Sequence, residues 1–224
     1  MRFLIPHQYP GTLICVEGID GSGKSTQITM LRDWLKSKNV DVIHTEWNSS
    51  NLICKTTKMA KKKNLLSPRT YSLLHAVDFA DRLEQIIKPA LKAGFVVLAD
   101  RYVYTAFARD AARGVDKNWV RNMYSFAIRP DMTIYFHIDA DISLNRICYN
   151  RTPKFYEAGM DMKLSDDPFK SYKIFQTYVN NEYLKMVDEY DLIKIDAKKS
   201  IHEKQIYFRQ LVVSMLKNKG IIIN

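Results

Sequence analysis

Gly18-Ile19-Asp20-Gly21-Ser22-Gly23-Lys24-Ser25-Thr26 is the stretch whose residue types and spacing could do chemistry. A glycine, four residues and then Gly-Lys-Ser is the pattern of a phosphate-binding loop. Glycines let the backbone curl until its N–H groups converge, and a helix starting directly afterwards adds its partial positive charge. Lys24 can then reach the outer phosphates of a nucleoside triphosphate, and the Ser25 hydroxyl is placed to ligate Mg2+. On this reading Gly18, Asp20, Gly21, Ser22, Gly23, Lys24, Ser25 and Thr26 form the ATP cradle. Such a site also needs a carboxylate at the end of a neighbouring strand, to hold the metal with Ser25. Asp100 fits, because it directly follows the apolar run Phe95-Val96-Val97-Leu98-Ala99. Arg101 beside it would point a guanidinium fork at phosphate oxygens.

The elements that must position these groups are legible from hydrophobic pattern. Residues 12–17 before the loop form a short apolar run of the kind that makes a buried parallel strand. After it, Ile28, Leu31 and Leu35 are spaced for one face of a helix. Further strands are expected at 40–44, 95–99, 133–138 and 192–195. Ser67-Pro68 should open a helix presenting Leu73, Leu74 and Val77 and running past Phe79 and Leu83. Pro89 should kink or divide it, and Gly94 should end it. Asp116 should cap a helix to about residue 126, and Asp141 one from 142 to 148. A long helix from about 168 to 190 and a last one at 201–217 complete the chain. Phe169, Tyr172, Phe175 and Tyr178 read as the packing face of the long helix. Strands alternating with helices argue an α/β fold, a five-stranded parallel sheet covered on both faces. No linker or repeat divides it, so residues 1–224 read as one domain with an irregular basic lid at about 150–165.

Composition narrows the partners. With 46% hydrophobic and 26% charged residues, the chain can bury a sizeable core. The net charge of +10 suggests an anionic partner without naming it. Basic residues are scattered except at Lys61-Lys62-Lys63, with Lys55 and Lys58 before them. That run reads as a solvated face and not as a nucleic-acid patch. Cys15, Cys54 and Cys148 lack metal-ligand spacing and suit a reducing compartment, with Cys15 acting as a small hydrophobe in the first strand. His7, His44, His75, His137 and His202 offer no metal cluster. The N-terminal residues 1–10 are too short and interrupted for a signal peptide, and no run is long enough for a membrane span, so the expectation is a cytoplasmic protein.

The chain resembles the thymidylate kinase family of nucleoside monophosphate kinases over nearly its whole length. The resemblance rests on Val16-Glu17-Gly18-Ile19-Asp20-Gly21-Ser22-Gly23-Lys24-Ser25-Thr26-Gln27 together with Leu98-Ala99-Asp100-Arg101-Tyr102-Val103. Ile87-Lys88-Pro89-Ala90-Leu91, Arg113-Gly114, Arg129-Pro130-Asp131 and Ile195-Asp196-Ala197 support it. The resemblance implies a P-loop kinase fold, usually a homodimer, that moves the γ-phosphoryl of MgATP to a deoxynucleoside monophosphate, dTMP before others. It further implies that Asp20 contacts the acceptor sugar, that Arg101 grips the acceptor phosphate, and that Asp100 serves magnesium. Thr105 matches a hydroxyl position after the second motif. With Gly21 and Ser22 inside the loop, charge stabilisation falls to the lid, to Arg146, Arg151 and Lys154.

Several positions depart from the family pattern. Thr45-Glu46-Trp47-Asn48-Ser49-Ser50 stands where many members have Arg-Glu-Pro-Gly-Gly, so a basic group on the acceptor phosphate is missing. Arg109-Asp110 replaces a Tyr-Gln near base and sugar, which should weaken selection for deoxyribose and for thymine. The base-contacting arginine of the long helix falls near Phe79, with Arg82 a turn later on roughly the same face. The insert from Lys154 to Asp161 has no counterpart in the usual mechanism. Two further readings stay open on the residues alone. One is a phosphotransferase acting on another nucleotide, a nucleoside or polyphosphate; the other is a nucleotide-binding regulator without turnover.

Overall fold

The apolar runs collapse into the middle of a single sheet in the computed structural model, which describes residues 4–64 and 66–221. The ends of the expected 1–224 domain therefore lie outside the described residues. Five strands, Thr12–Glu17 (β1), Val42–Glu46 (β2), Val96–Asp100 (β3), Met132–His137 (β4) and Ile193–Asp196 (β5), pair in the order β2-β3-β1-β4-β5. Every pairing is parallel. β1 and β3 are buried along their whole length, and Cys15 lies within β1 as expected. Three of the strands run one or two residues past their expected ends. Backbone register keeps Glu46, Asp100 and Asp196 in the ladder although the hydrophobic pattern stops before them. Val16 and Glu46 both align with Asp100, so three strand ends finish level. From β1 the chain crosses to β2 and β3 on one side and then passes over to β4 and β5 on the other, and a crevice opens at such a switch point.

Helices cover the sheet. Lys24–Ser37 (α1) follows the glycine loop, and Cys54–Lys62 (α2) precedes Pro68–Arg82 (α3). Ser67 caps α3 by accepting from Thr70 N, as its sequence promised. Pro89 does not divide this helix: a π-turn at Leu83–Ile87 carries it into Lys88–Lys92 (α4). A wider turn before a proline accommodates the hydrogen bond its missing N–H cannot make. The buried face of α3 is not Leu73 and Val77, which are exposed, but Tyr71, His75, Asp78, Phe79 and Arg82. That face carries polar groups because it borders a cavity.

Val103–Ala112 (α5) and α2 fall where no helix was expected: nearly all of α5 is buried, while α2 buries Thr57 alone. Lys117–Met123 (α6) starts at the Asp116 cap but stops short of residue 126. Ala140–Cys148 (α7) begins two residues earlier than expected, after Asp139, so Asp141 lies inside its first turn. Pro168–Glu189 (α8) buries Tyr172 and Phe175 but exposes Phe169 and Tyr178, which correct the expected packing face. Ile201–Asn218 (α9) starts from a reciprocal Ser200–Glu203 capping box. None of these helices is long and apolar enough to cross a membrane.

Candidate active site

The glycine loop joins β1 to α1 across the crevice. A side chain on Gly18 would come within 2.5 Å of Phe136 O, and its φ of +140° is one that other residues rarely adopt. Gly23 takes the left-handed conformation directly before α1. Lys24 Nζ donates to Ile19 O at 2.8 Å and to Ser22 Oγ at 3.3 Å. Burial, then the nearby Arg101, pulls its pKa down to about 8. Ser25 Oγ donates to Asp100 Oδ2 at 2.8 Å, so the two expected metal-side groups meet. A hydroxyl and a carboxylate are hard oxygen donors, and an octahedral ion that keeps several waters needs few protein ligands, so the pair fits magnesium. Gly21, Gly23, Lys24, Ser25 and Thr26 line a cavity of about 500 Å3 that Asp100, Arg151 and Lys154 close from the other side.

A second cavity, of about 520 Å3, adjoins the first and shares Asp20, Trp47, Arg101 and Lys154 with it. Arg101 turns the chain out of β3 with a φ of +72°, a strained conformation for a side chain of its size. The turn aims its guanidinium back at the loop, where it donates to Gly18 O at 3.1 Å and Asp20 Oδ1 at 2.5 Å. Arg109, from α5, donates to the other Asp20 oxygen at 2.9 Å. Burial opposes the Asp20 charge, but Arg109, Arg101 and Lys24 outweigh it and hold the carboxyl below the usual range. Lys58, Lys61 and Lys62 of α2 line the same cavity. The lysine run is thus no merely solvated face. Lys61 lies 5.0 Å from the Tyr71 ring centre, and burial, then Arg109 and Arg113, brings its pKa to about 7. Trp47, Tyr71, His75, Phe155 and Tyr156 supply an aromatic wall.

Trp47 is presented by a loop built on α3. Asp78 accepts from Asn48 N and Ser50 N, and Arg82 Nε donates to Thr45 Oγ1 at 3.0 Å. Arg82 is fully buried, so the expectation that it reads the acceptor base is not met: it props the Trp47 loop. Phe79 is also fully buried, packed edge-on against Tyr102 and Tyr124, and does not line the cavity. Thr105 fails likewise, because its hydroxyl donates to Glu17 Oε2 at 2.6 Å inside the core. Asp110 is buried behind the wall, leaving Arg109 without the charged companion its neighbour suggested. Glu17 is what sequence reasoning passed over. Its carboxylate accepts from Tyr102 N, Thr105 and Tyr183 and so ties the glycine loop to the Asp100-Arg101 turn. An acid closing a buried strand was the available signal.

The lid is an ordered insert. Arg151 pairs with Glu157 at 2.7 Å, and both Arg151 and Lys154 border the loop cavity. Arg146 turns away instead and donates to Ala197 O at 3.1 Å. Arg113 of the Arg113-Gly114 element explains the insert from residue 154 to 161. It donates to Asp161 Oδ2 and Tyr156 O, both at 2.8 Å, with its guanidinium between the Tyr71 and Phe175 rings. Gln176 and Ser171 of α8 donate to Glu157 O and Ala158 O, each at 2.7 Å. The insert is therefore stapled to α5 and α8, with Phe155 and Tyr156 facing the second cavity.

Sheet order, glycine loop and the acid at the neighbouring strand's end define the P-loop NTPase class. A family model described as thymidylate kinase matches residues 16–206. A probable thymidylate kinase 2 of Saccharolobus solfataricus is 46% identical over 211 residues, covering 93% of this chain and 98% of that protein. A probable thymidylate kinase of Thermococcus onnurineus is 32% identical, covering 81% of this chain and 87% of its own. One from Methanocaldococcus jannaschii is 33% identical, covering 85% and 89%. The chain belongs to the thymidylate kinase family.

Proposed function

We propose that this chain is a nucleoside monophosphate kinase that transfers the γ-phosphoryl of MgATP to dTMP, giving dTDP and ADP. The observation that carries the reading is the junction of two cavities at Asp20, Arg101 and Lys154. One is built for a triphosphate, the other is walled by aromatics and cations. An acceptor phosphate held by Arg101, Arg109 and Lys61 would present its oxygen to the γ-phosphorus held over Lys24. One P–O bond forms as the bridging bond to the β-phosphate breaks, with no covalent enzyme intermediate. Magnesium held by Ser25 and Asp100 would neutralise phosphate charge. Lys24, Arg151 and Lys154 would stabilise charge on the transferring group, in a site whose dipoles are already oriented. Asp20 keeps both arginines charged and aimed, and Lys61 replaces the basic group missing after β2.

Arg109 stands where the family places an aromatic against the sugar, and a guanidinium can donate to a ribose hydroxyl. Discrimination of dTMP over UMP beyond the base difference should therefore be within about tenfold. The lysine-lined wall also favours, as a second reading, an acceptor with more phosphate. Turnover with MgATP against dTMP, UMP, dGMP, thymidine and inorganic polyphosphate tests both. Highest kcat/KM with dTMP is expected; activity on polyphosphate or thymidine alone would replace the reading. A homodimer is proposed on the exposed Leu73 and Val77 of α3, and light scattering on the purified chain checks it.

A further inference from the structure

Resting on the proposed dTMP kinase reading, we propose that Glu17 is the positioning residue for Arg101: its carboxylate holds the turn after β3 so that the guanidinium faces the acceptor phosphate. Glu17 closes β1 and is fully buried. The ladder between β1 and β3 pairs Val16 with Asp100, and Arg101 N then donates to Val16 O at 3.0 Å. Arg101 turns left-handed there, and the next N–H, on Tyr102, donates to Glu17 Oε1 at 2.7 Å. Successive N–H groups of an extended strand point to opposite neighbours, whereas here both point back at β1. The Glu17 side chain thus supplies the rung that the backbone, already swinging into the glycine loop, cannot.

A left-handed arginine is unfavourable and persists only where its surroundings enforce it. The enforcing group is itself fixed. Oε2 of Glu17 accepts from Thr105 Oγ1, in the first turn of α5, at 2.6 Å and from Tyr183 OH of α8 at 2.7 Å. Buried charge is tolerated only when it is bonded in this way, and these bonds keep the carboxylate from swinging off Tyr102 N. Gly18 O, the next residue along, accepts from Arg101 Nη1 at 3.1 Å. Glu17 and Gly18 therefore grip Arg101 at both ends, backbone and guanidinium. Lys24 and Ser25 have other partners, Ile19 O, Ser22 Oγ and Asp100. Loosening Glu17 should accordingly disturb the acceptor side and spare the ATP cradle.

The test separates reach from charge. Glu17→Gln keeps the reach, because its carbonyl accepts from Tyr102 N and its amide donates to hydroxyls that also accept. Glu17→Asp keeps the charge but falls one methylene short. Glu17→Asp should lower kcat/KM for dTMP about a hundredfold, the scale of a misplaced reacting group, while Glu17→Gln stays within about tenfold of wild type. Calorimetry should find the Kd for ATP moved by less than about threefold in both. Because Glu17 acts through Arg101, adding Glu17→Asp to Arg101→Met should cost less than about threefold more. An equal loss in both backgrounds overturns the inference. So does an ATP Kd that rises in step with the loss on dTMP, or a Glu17→Asp more active than Glu17→Gln. If Glu17→Asp does not fold, Thr105→Val, which removes one bond from Oε2, takes its place. It should lose about fivefold on dTMP, and nothing further beside Arg101→Met; unchanged kinetics contradicts the inference. Wild type inactive with dTMP would sink the parent reading, whereas activity indifferent to Glu17 sinks this inference alone.

Discussion

Lys24 is buried and Lys61 half-buried, and each depressed pKa has its own consequence. Lys24 is turned onto Ile19 O and Ser22 Oγ within the glycine loop, outside the hydrophobic core. Lys24→Ala should leave circular dichroism unchanged and lower kcat by about a thousandfold, the scale of losing one oriented charge donor. A folded variant with near-wild-type turnover would remove the loop's assigned role. Lys61 faces Arg109 of α5 and Arg113 just past its end, Asp78 from α3 and the Arg101 turn, with a pKa of about 7. Below pH 7 its cation is ready for an anionic phosphate; above it, binding must first take up a proton. KM for dTMP should therefore rise by up to about tenfold per pH unit from pH 7 to 8.5. Lys61→Met should bind weakly throughout and lose that slope. Equal slopes in both proteins would free Lys61 from the acceptor phosphate.

Among the elements, the lid carries the clearest expectation. Arg151 is paired with Glu157 at its edge, while Arg113, Ser171 and Gln176 hold its body. Changing Arg151 and Lys154 together to alanine should lower kcat by about a hundredfold while KM for ATP shifts only a few-fold. A rise in ATP KM alone would make them donor-holding residues. The lid's basic residues were legible from composition, but its anchoring was not, because Arg113 and Asp161 are far apart in the chain. The glycine loop, Asp100 and Arg101 were legible because one local pattern sets backbone and chemistry together. The acceptor side was not. Its wall comes from α2, α3, α5 and the lid at once, segments far apart in the chain. On α3 the apolar Leu73 and Val77 marked the wrong face, since the buried face carries His75, Asp78 and Arg82.

For the whole molecule, the sheet fixes both cavities at the level ends of β1, β2 and β3, and the stability of that frame has a pH signature. Asp110 is fully buried in α5, and burial, opposed by Ser72, Arg113 and Arg109, pushes its pKa up to about 6. An unfolded aspartate titrates near about 4. Between those values the folded state holds the extra proton, so stability falls as pH rises through the window and the loss is complete above pH 6. Asp110→Asn should be about 1–3 kcal/mol more stable than wild type at pH 7.5, and the two should melt together near pH 4. A constant difference across that range would mean Asp110 does not titrate there. The central claim, that this frame joins a triphosphate to a pyrimidine monophosphate, is tested most directly by 31P NMR. Purified protein, MgATP and dTMP are followed to completion. The account predicts dTDP and ADP appearing in equal amounts, without inorganic phosphate. ATP breakdown to ADP and phosphate with dTMP unchanged would contradict it.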